Sequence, residues 1–331
     1  MVAAPATGAP ANTVWVHGHS WTTGYGLADT SLRYPKLVAT ARSAALRSRG
    51  VDGSLVHEAA ERLYGTGGST WTAGAAGDVV IQANLNSARQ FGADRMAVTT
   101  SRNALRVMLA TINASKRVEN THRSHVYSKG WRTRSMGWAS GGSVRATTKN
   151  GSYVGFKAVG GEYVSLRGVS GTGVVVRISD RTSGRTIARI NTGRRVHRAH
   201  DHAGIPLVFR IPPTRAGHSI RMTKESGSGS FTFDARLPQR RSPGKVVLVK
   251  EPYLEDYSLS TAYPNGSDAA LDAFNTVLDQ TAAEFRNAVT VDPNAAGWDP
   301  TQFLQTDGVH PNEAGNRFLA TLVGQALRRT S

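Results

Sequence analysis

The sequence contains no cysteine among its 331 residues. That absence excludes disulfide bonds, thiolate nucleophiles and zinc sites with cysteine ligands. No apolar run approaches the roughly 20 residues that a membrane-spanning helix needs. The first twelve residues lack the basic start and the apolar centre of a secretion signal. We therefore expect residues 1–12 to form a disordered lead-in.

Acidic residues are scarce in the middle third of the chain. Residues 125–244 hold 21 of the 40 Lys and Arg but only 5 of the 23 Asp and Glu, so nearly all of the net charge of +17 lies there. Such a step in charge predicts two units with different partners. The excess favours an anionic polymer; nucleic acid is an alternative, but the segment contains no recognisable nucleic-acid-binding motif.

Patterns of strands and helices alternate at both ends of the chain. TVWVHG, DVVIQAN and VVLVKEPY are typical of strands, and the last two are continuous enough to be buried on both faces. YPKLVATARSAALRSRG predicts a helix that stops at Gly50, and the final helix carries Pro311 in its first turn. This alternation predicts an α/β fold with a parallel sheet, in which ligands bind at the carboxyl ends of strands.

The segment between these parts has a different pattern. Residues 125–239 contain short β-rich runs such as YVGFKAV and GVVVRIS, separated by Gly, Ser, Asn and Asp. This spacing is typical of an antiparallel β-sandwich. The expected organisation is an α/β domain of residues 13–124 and 245–331, interrupted by a basic β-sandwich of residues 125–244.

Four short motifs in the α/β parts carry residues suited to catalysis. They are Gly18-His19-Ser20, Gly68 in YGTGGSTW, Asn84 and Asn86 in QANLNSARQ, and Asp307 with His310 in TDGVHPNEAGN. Their types and order resemble the blocks of the SGNH (GDSL-like) hydrolase family, and the Asp-x-x-His motif is the most specific match. The resemblance covers Thr13 to about Thr121 and Lys245 to the end, and it implies a three-layer α/β/α fold.

The resemblance also implies a role for each matched residue. Ser20 is the expected nucleophile, His310 its general base, and Asp307 the group that orients His310. The expected oxyanion hole consists of the backbone N–H groups of Ser20 and Gly68 with the side-chain amide of Asn86. One such donor typically stabilises a transition state by about 3 kcal/mol. No metal or organic cofactor is implied.

Two motifs depart from the family pattern. His19 stands where the family has aspartate, and Asn84 and Ser87 stand where Gly and Asp are usual. We assign His19, Trp21 and Asn84 as candidate substrate-binding residues. A metal role for His17 and His19 is the less favoured alternative.

One further histidine cluster lies in the basic segment. VHRAHDHAG brings together His197, His200, Asp201 and His202. Metal binding needs converging ligands, so this run favours a polar loop of the sandwich over a metal site.

These observations lead to one main hypothesis and two rivals. The main one is a serine esterase that removes O-acyl groups, such as acetyl, from carbohydrate or lipid of a bacterial envelope. The Ala, Gly and Arg content resembles proteins of high-GC actinobacteria and their phages, which suggests a tail-associated esterase on a virion, with other tail proteins or a homo-oligomer as partners. A cytoplasmic protein, or a secreted one whose signal has been removed, fits the chemistry equally well. The rivals are a catalytically silent receptor-binding or structural virion protein and a nucleic-acid-associated protein.

Overall fold

The computed structural model describes residues 13–65, 77–168, 173–194, 205–241 and 244–328. The expected lead-in of residues 1–12 lies outside these ranges. The helices are α1 (Ser20–Thr23), α2 (Tyr34–Ala41), α3 (Val56–Tyr64), α4 (Leu85–Phe91), α5 (Arg95–Ile112), α6 (Asp268–Ala282), α7 (Pro300–Phe303) and α8 (Glu313–Arg328). In the described part of the chain, none of the helices has the length and apolar character needed to span a bilayer.

The strands fall into one parallel and two antiparallel sheets. They are β1 (Thr13–Gly18), β2 (Ala45–Ser48), β3 (Asp78–Gln82), β4 (Val118–Glu119), β5 (Val126–Tyr127), β6 (Arg132–Ser135), β7 (Ser143–Thr147), β8 (Tyr153–Lys157), β9 (Tyr163–Gly168), β10 (Val175–Asp180), β11 (Arg185–Asn191), β12 (Ile205–Arg210), β13 (Ser219–Ser226), β14 (Phe231–Leu237), β15 (Val246–Val249) and β16 (Ala288–Val291).

The chain divides into two compact units. The first comprises Met1–Leu55, Ala76–Gly92 and Pro243–Ser331, and the second comprises Val56–Ala75 and Ala93–Ser242. Helices α3 and α5 fall in the second unit because they pack against each other and against β12. The second unit therefore begins earlier in the chain than the boundary at residues 124/125 that the sequence suggested.

The first unit is built on a parallel sheet with strand order β16-β15-β3-β1-β2. The chain leaves β1 for β2 on one side and later returns to place β3 on the other side. This reversal creates a switch point between β1 and β3, where ligand sites of open α/β sheets form at the carboxyl ends of the strands. Helix α8 packs against α2, β15 and β16, and α6 packs against α4 and β16. The predicted α/β fold with a parallel sheet is confirmed.

One predicted helix is wrong in its extent. The sequence favoured a single helix up to Gly50, but α2 ends at Ala41 and β2 follows at Ala45–Ser48. Ser43 adopts a left-handed backbone conformation with φ of 48°, which ends the helix. The residues after it then pair in parallel with β1. Pairing with a neighbouring strand outweighed the local helical pattern.

The second unit contains two antiparallel sheets, with strand orders β11-β10-β13-β8-β5 and β12-β9-β14-β7-β6. Side chains from both sheets, including Phe156, Ile178, Leu166 and Phe233, share one hydrophobic core. These sheets fit the predicted β-rich insertion, which contains no α-helix within its described residues.

Within the second unit, a buried hydrogen bond joins α3 to the β-rich sheets. The Tyr64 hydroxyl at the end of α3 donates to the carboxylate of Asp234 on β14. Burial raises the pKa of Asp234 to about 7, and the hydrogen bonds from Tyr64 and the Ser140 backbone lower it only in part. This bond is one physical reason why α3 groups with the β-rich sheets.

Candidate active site

Ser20 lies directly after the carboxyl end of β1, at the switch point of the parallel sheet. Gly18 permits the close approach of β1 and β3, because a Cβ there would lie 2.3 Å from the Gln82 carbonyl oxygen. The chain then turns into the short helix α1, which begins at Ser20 and stops at Gly24 with φ of 82°. Ser20 is 5% exposed. The turn thus presents a hydroxyl at the edge of the sheet.

His310 and Asp307 form a hydrogen-bonded chain with Ser20. The Ser20 Oγ lies 3.0 Å from His310 Nε2. His310 Nδ1 lies 2.6 Å from Asp307 Oδ2. With the proton of the imidazole on Nδ1, Nε2 can accept the proton of the serine hydroxyl. Ser20 and His310 lie 290 positions apart in the chain, and the fold brings them together.

The loop before α8 holds Asp307 in place. Its Oδ1 accepts hydrogen bonds of 2.9 Å from the backbone N–H groups of Val309 and His310. Gly308 has φ of 66°, and a Cβ there would lie 2.8 Å from the Cβ of Asp256. Burial raises the pKa of Asp307, but its hydrogen bonds with His310 and Val309 outweigh that effect and the pKa lies below its ordinary value of 3.8. Asp307 is therefore a carboxylate at neutral pH.

The surroundings of His310 favour its neutral form. Burial lowers its pKa below the ordinary value of 6.5, and the hydrogen bond and charge of Asp307 offset only part of that effect. The imidazole is therefore neutral at pH 7 and free to accept a proton. The ring of Tyr25, which is 52% exposed, lies 4.6 Å from the His310 ring. No motif marked Tyr25 in the sequence.

Asn86 occupies the first turn of α4, which follows β3 at the same edge of the sheet. Its Nδ2 donates to the Ser54 carbonyl oxygen at 3.2 Å, which fixes the amide. The second hydrogen of that amide has no acceptor within the described ranges. The Ser20 N–H begins α1 and so has no acceptor within its helix. Gly68, the third expected oxyanion donor, lies outside the described residues.

The assignment of His19, Trp21 and Asn84 to substrate binding needs correction. None of the three residues exposes any surface. Trp21 packs against the ring of Trp298, and the Asn84 amide donates to the Phe274 carbonyl oxygen. His19 caps α1 by accepting from the Trp21 N–H. These side chains therefore lie inside the first unit, where His19 and Asn84 are hydrogen-bonded to protein groups and Trp21 packs against another ring.

Glu251 is a buried residue of this site that the sequence analysis missed. It follows β15, has no exposed surface, and lies 3.2 Å from His19 Nε2 through its Oε2. The signal was a single acidic residue directly after the buried strand VVLVK, at the sheet edge where the site forms. His19 occupies the position of the family's aspartate, and its carboxylate neighbour comes from another strand.

No cluster suited to a metal ion occurs in the part of the chain that the structure describes. His17 is buried on β1 and His19 pairs with Glu251. The histidine run at His197, His200 and His202 lies outside the described residues.

Solved structures of lipolytic proteins align with most of this chain, at low sequence identity and low TM-scores. No family model and no curated protein matches it. The lipase/acylhydrolase from Enterococcus faecalis aligns with 96% of this chain and 95% of its own, at 14% identity and a TM-score of 0.46. A member of the lipolytic protein G-D-S-L family from Veillonella parvula aligns with 97% of this chain and 100% of its own, at 12% identity and a TM-score of 0.44. At these values, the neighbours do not assign a function, and the side chains described above are the basis for one.

Proposed function

We propose that this protein is a serine ester hydrolase of the SGNH type. The observation that carries the proposal is the hydrogen-bonded chain Ser20–His310–Asp307, with distances of 3.0 and 2.6 Å. A carboxylate, a neutral imidazole and a hydroxyl in this order activate the hydroxyl as a nucleophile. These three residues lie at the switch point of a parallel sheet, where ligand sites form, and this position supports the same conclusion.

The reaction proceeds in two acyl transfers. Ser20 Oγ attacks the ester carbonyl carbon while His310 Nε2 takes its proton, and Asp307 stabilises the resulting imidazolium. The oxyanion accepts hydrogen bonds from the Ser20 N–H and the Asn86 amide. His310 then gives its proton to the leaving alcohol. Water repeats the attack on the acyl-serine, and the carboxylic acid leaves with Ser20 restored.

The proposed substrates are O-acyl groups, acetyl first among them, on carbohydrate or lipid of a bacterial envelope. The exposed ring of Tyr25 beside His310 offers an apolar face to the alcohol part of the ester. A virion tail is the proposed location, on the argument from composition given above.

Covalent capture of Ser20 tests the proposed chemistry. We expect a fluorophosphonate to label the folded chain once, at Ser20, and to abolish hydrolysis of p-nitrophenyl esters from acetate to long acyl chains. Peptide mass spectrometry locates the label, and unfolded protein serves as the control because its Ser20 lacks His310. A chain that takes up no label and cleaves no ester in the series would favour the catalytically silent binding protein instead.

For the second unit, we propose binding of an anionic envelope polymer. Residues 120–161 contain seven Lys and Arg and no Asp or Glu. Within this segment, β6 is the last strand of its sheet, and all four of its residues are exposed. Arg132 and Arg134 on β6 and Lys129 beside it pair with no carboxylate in the described ranges. Unpaired cations along an exposed strand fit a chain of repeated negative charges.

Removing two arginines of β6 tests this binding. We expect R132Q/R134Q to weaken binding of the full chain to a soluble poly(glycerol phosphate) by about twofold to thirtyfold, as the loss of two exposed ion pairs predicts. The matched control is R181Q/R185Q, which removes two exposed arginines of the same unit near β11. Titration of the parent and of both variants with the polymer, at several salt concentrations, measures the dissociation constants. Equal losses in the two variants would mean that net charge, and not this strand, governs binding.

A further inference from the structure

Glu251 receives hydrogen bonds from groups at the carboxyl ends of two other strands. The His19 ring, after β1, approaches both carboxylate oxygens with Nε2 at 3.2 and 3.3 Å. The Gln82 side chain, at the end of β3, donates through Nε2 at 3.2 Å, and the Asn84 backbone N–H donates at 2.7 Å. A buried carboxylate needs such donors, since it has no water to solvate it.

The contacts of His19 define its tautomer. Its Nδ1 accepts from the Trp21 N–H, so Nδ1 carries a lone pair. The ring proton therefore lies on Nε2, where Glu251 accepts it. In this state a neutral imidazole satisfies both neighbours at once. Its cap fixes the first turn of α1, which carries both the Ser20 hydroxyl and the Ser20 N–H.

Glu251 also holds the neighbouring helix. Asn84 is the residue immediately before α4, and Asn86 lies in the first turn of that helix. The bond from the Asn84 N–H to Glu251 thus fixes the start of the element that presents the Asn86 amide. One carboxylate joins the turn of the nucleophile to the helix of the oxyanion donor.

The backbone of Glu251 is itself fixed. Its N–H donates to Asn275 Oδ1 at 2.8 Å, and its carbonyl oxygen accepts from Asn275 Nδ2 at 2.9 Å. Asn275 lies within α6 and is buried. The carboxylate therefore stands on a rigid support, as a group that orients others must.

We propose that Glu251 is a positioning residue of the active site. It sets the tautomer of His19 and thereby the geometry of Ser20, and it sets the start of α4 and thereby the geometry of Asn86. The inference rests on the proposed ester hydrolysis. It also accounts for histidine at position 19: an aspartate there would face the buried Glu251 carboxylate, and two buried like charges repel strongly.

E251Q tests the proposal because the amide keeps the size of the side chain but offers a single acceptor oxygen. The Asn84 N–H, the closest donor at 2.7 Å, holds the amide oxygen, so the new NH₂ group faces His19 Nε2 and Gln82 Nε2. His19 is then driven to the other tautomer, which opposes the Trp21 N–H. We expect kcat to fall by about 10- to 100-fold, as small displacements of catalytic groups do, with KM changed less than threefold. The control is E162Q, another fully buried glutamate, which pairs with Arg236 in the second unit. It should lower the melting temperature and leave kcat unchanged.

Substitutions of His19 separate positioning from simple packing. H19N keeps a donor for Glu251 and an acceptor for the Trp21 N–H, so we expect it to retain kcat within about threefold. H19D should lower kcat as much as E251Q does. The double variant H19D/E251Q should recover part of that kcat, because the new amide at position 251 can donate to the new carboxylate. An unchanged kcat in E251Q, or equal losses in H19N and H19D, would overturn the proposal.

Hydrogen exchange gives a readout that does not depend on turnover. We expect E251Q to raise the exchange rate of the amides of α1 and of Asn84, and E162Q to leave both unchanged. Faster exchange in E251Q, together with a parent protein that cleaves no ester, would mean that the proposed function fails while the positioning role holds. Unchanged exchange in E251Q would reject the positioning role.

Discussion

Replacing Ser20 with alanine is expected to lower kcat/KM for p-nitrophenyl acetate by at least about a thousandfold, since removal of a catalytic nucleophile typically costs several orders of magnitude. Without Oγ no acyl-serine can form, and the remaining donors can only polarise the ester for direct attack by water. His310→Ala should lower kcat/KM by a similar factor, because an unactivated serine hydroxyl is a poor nucleophile.

The double variant gives the sharper test. Residues that act as one unit have strongly non-additive effects, so Ser20→Ala with His310→Ala should be about as slow as either single variant. Stopped assays at high enzyme concentration measure all three against the parent. A Ser20→Ala variant within tenfold of the parent, or single losses that multiply in the double variant, would reject the acyl-serine mechanism.

Asp307→Asn is expected to lower kcat by about ten-thousandfold, the effect seen when a triad aspartate loses its charge. The two backbone N–H groups that bind Oδ1 hold the amide oxygen on their side. The amide NH₂ group then faces His310 Nδ1 and donates to it. The ring proton moves to Nε2, which faces Ser20 Oγ and can no longer accept its proton.

The pH profile provides the second readout for Asp307. In the parent, the acid limb of kcat/KM reports protonation of His310 and should lie below 6.5, because burial lowers the pKa of that imidazole. The carboxylate of Asp307 raises the pKa of His310, so its removal should shift the acid limb of the remaining activity to still lower pH. An acid limb that shifts to higher pH in Asp307→Asn, or a fall in kcat of less than about tenfold, would contradict the assigned role.

The sequence alone determined much of the α/β fold, because buried strands and capped helices leave strong local patterns. The runs DVVIQ and VVLV, both predicted as strands, form β3 and β15. The predicted final helix is α8, although it begins at Glu313, two residues after Pro311. The Asp-x-x-His spacing also predicted a local pair, since three residues before a helix suffice to bring Asp307 against His310.

Only the tertiary structure decided the parts that depend on distant residues. Pairing with β1 turned Ala45–Ser48 from the predicted helix into a strand, and contacts with β12 placed α3 and α5 in the second unit. The burial of His19 and its bond to Glu251 join residues 232 positions apart, and neither residue type nor spacing encodes such a meeting. Local propensity acts over a few residues, whereas the surroundings of a polar side chain are set by whichever strands the fold places beside it.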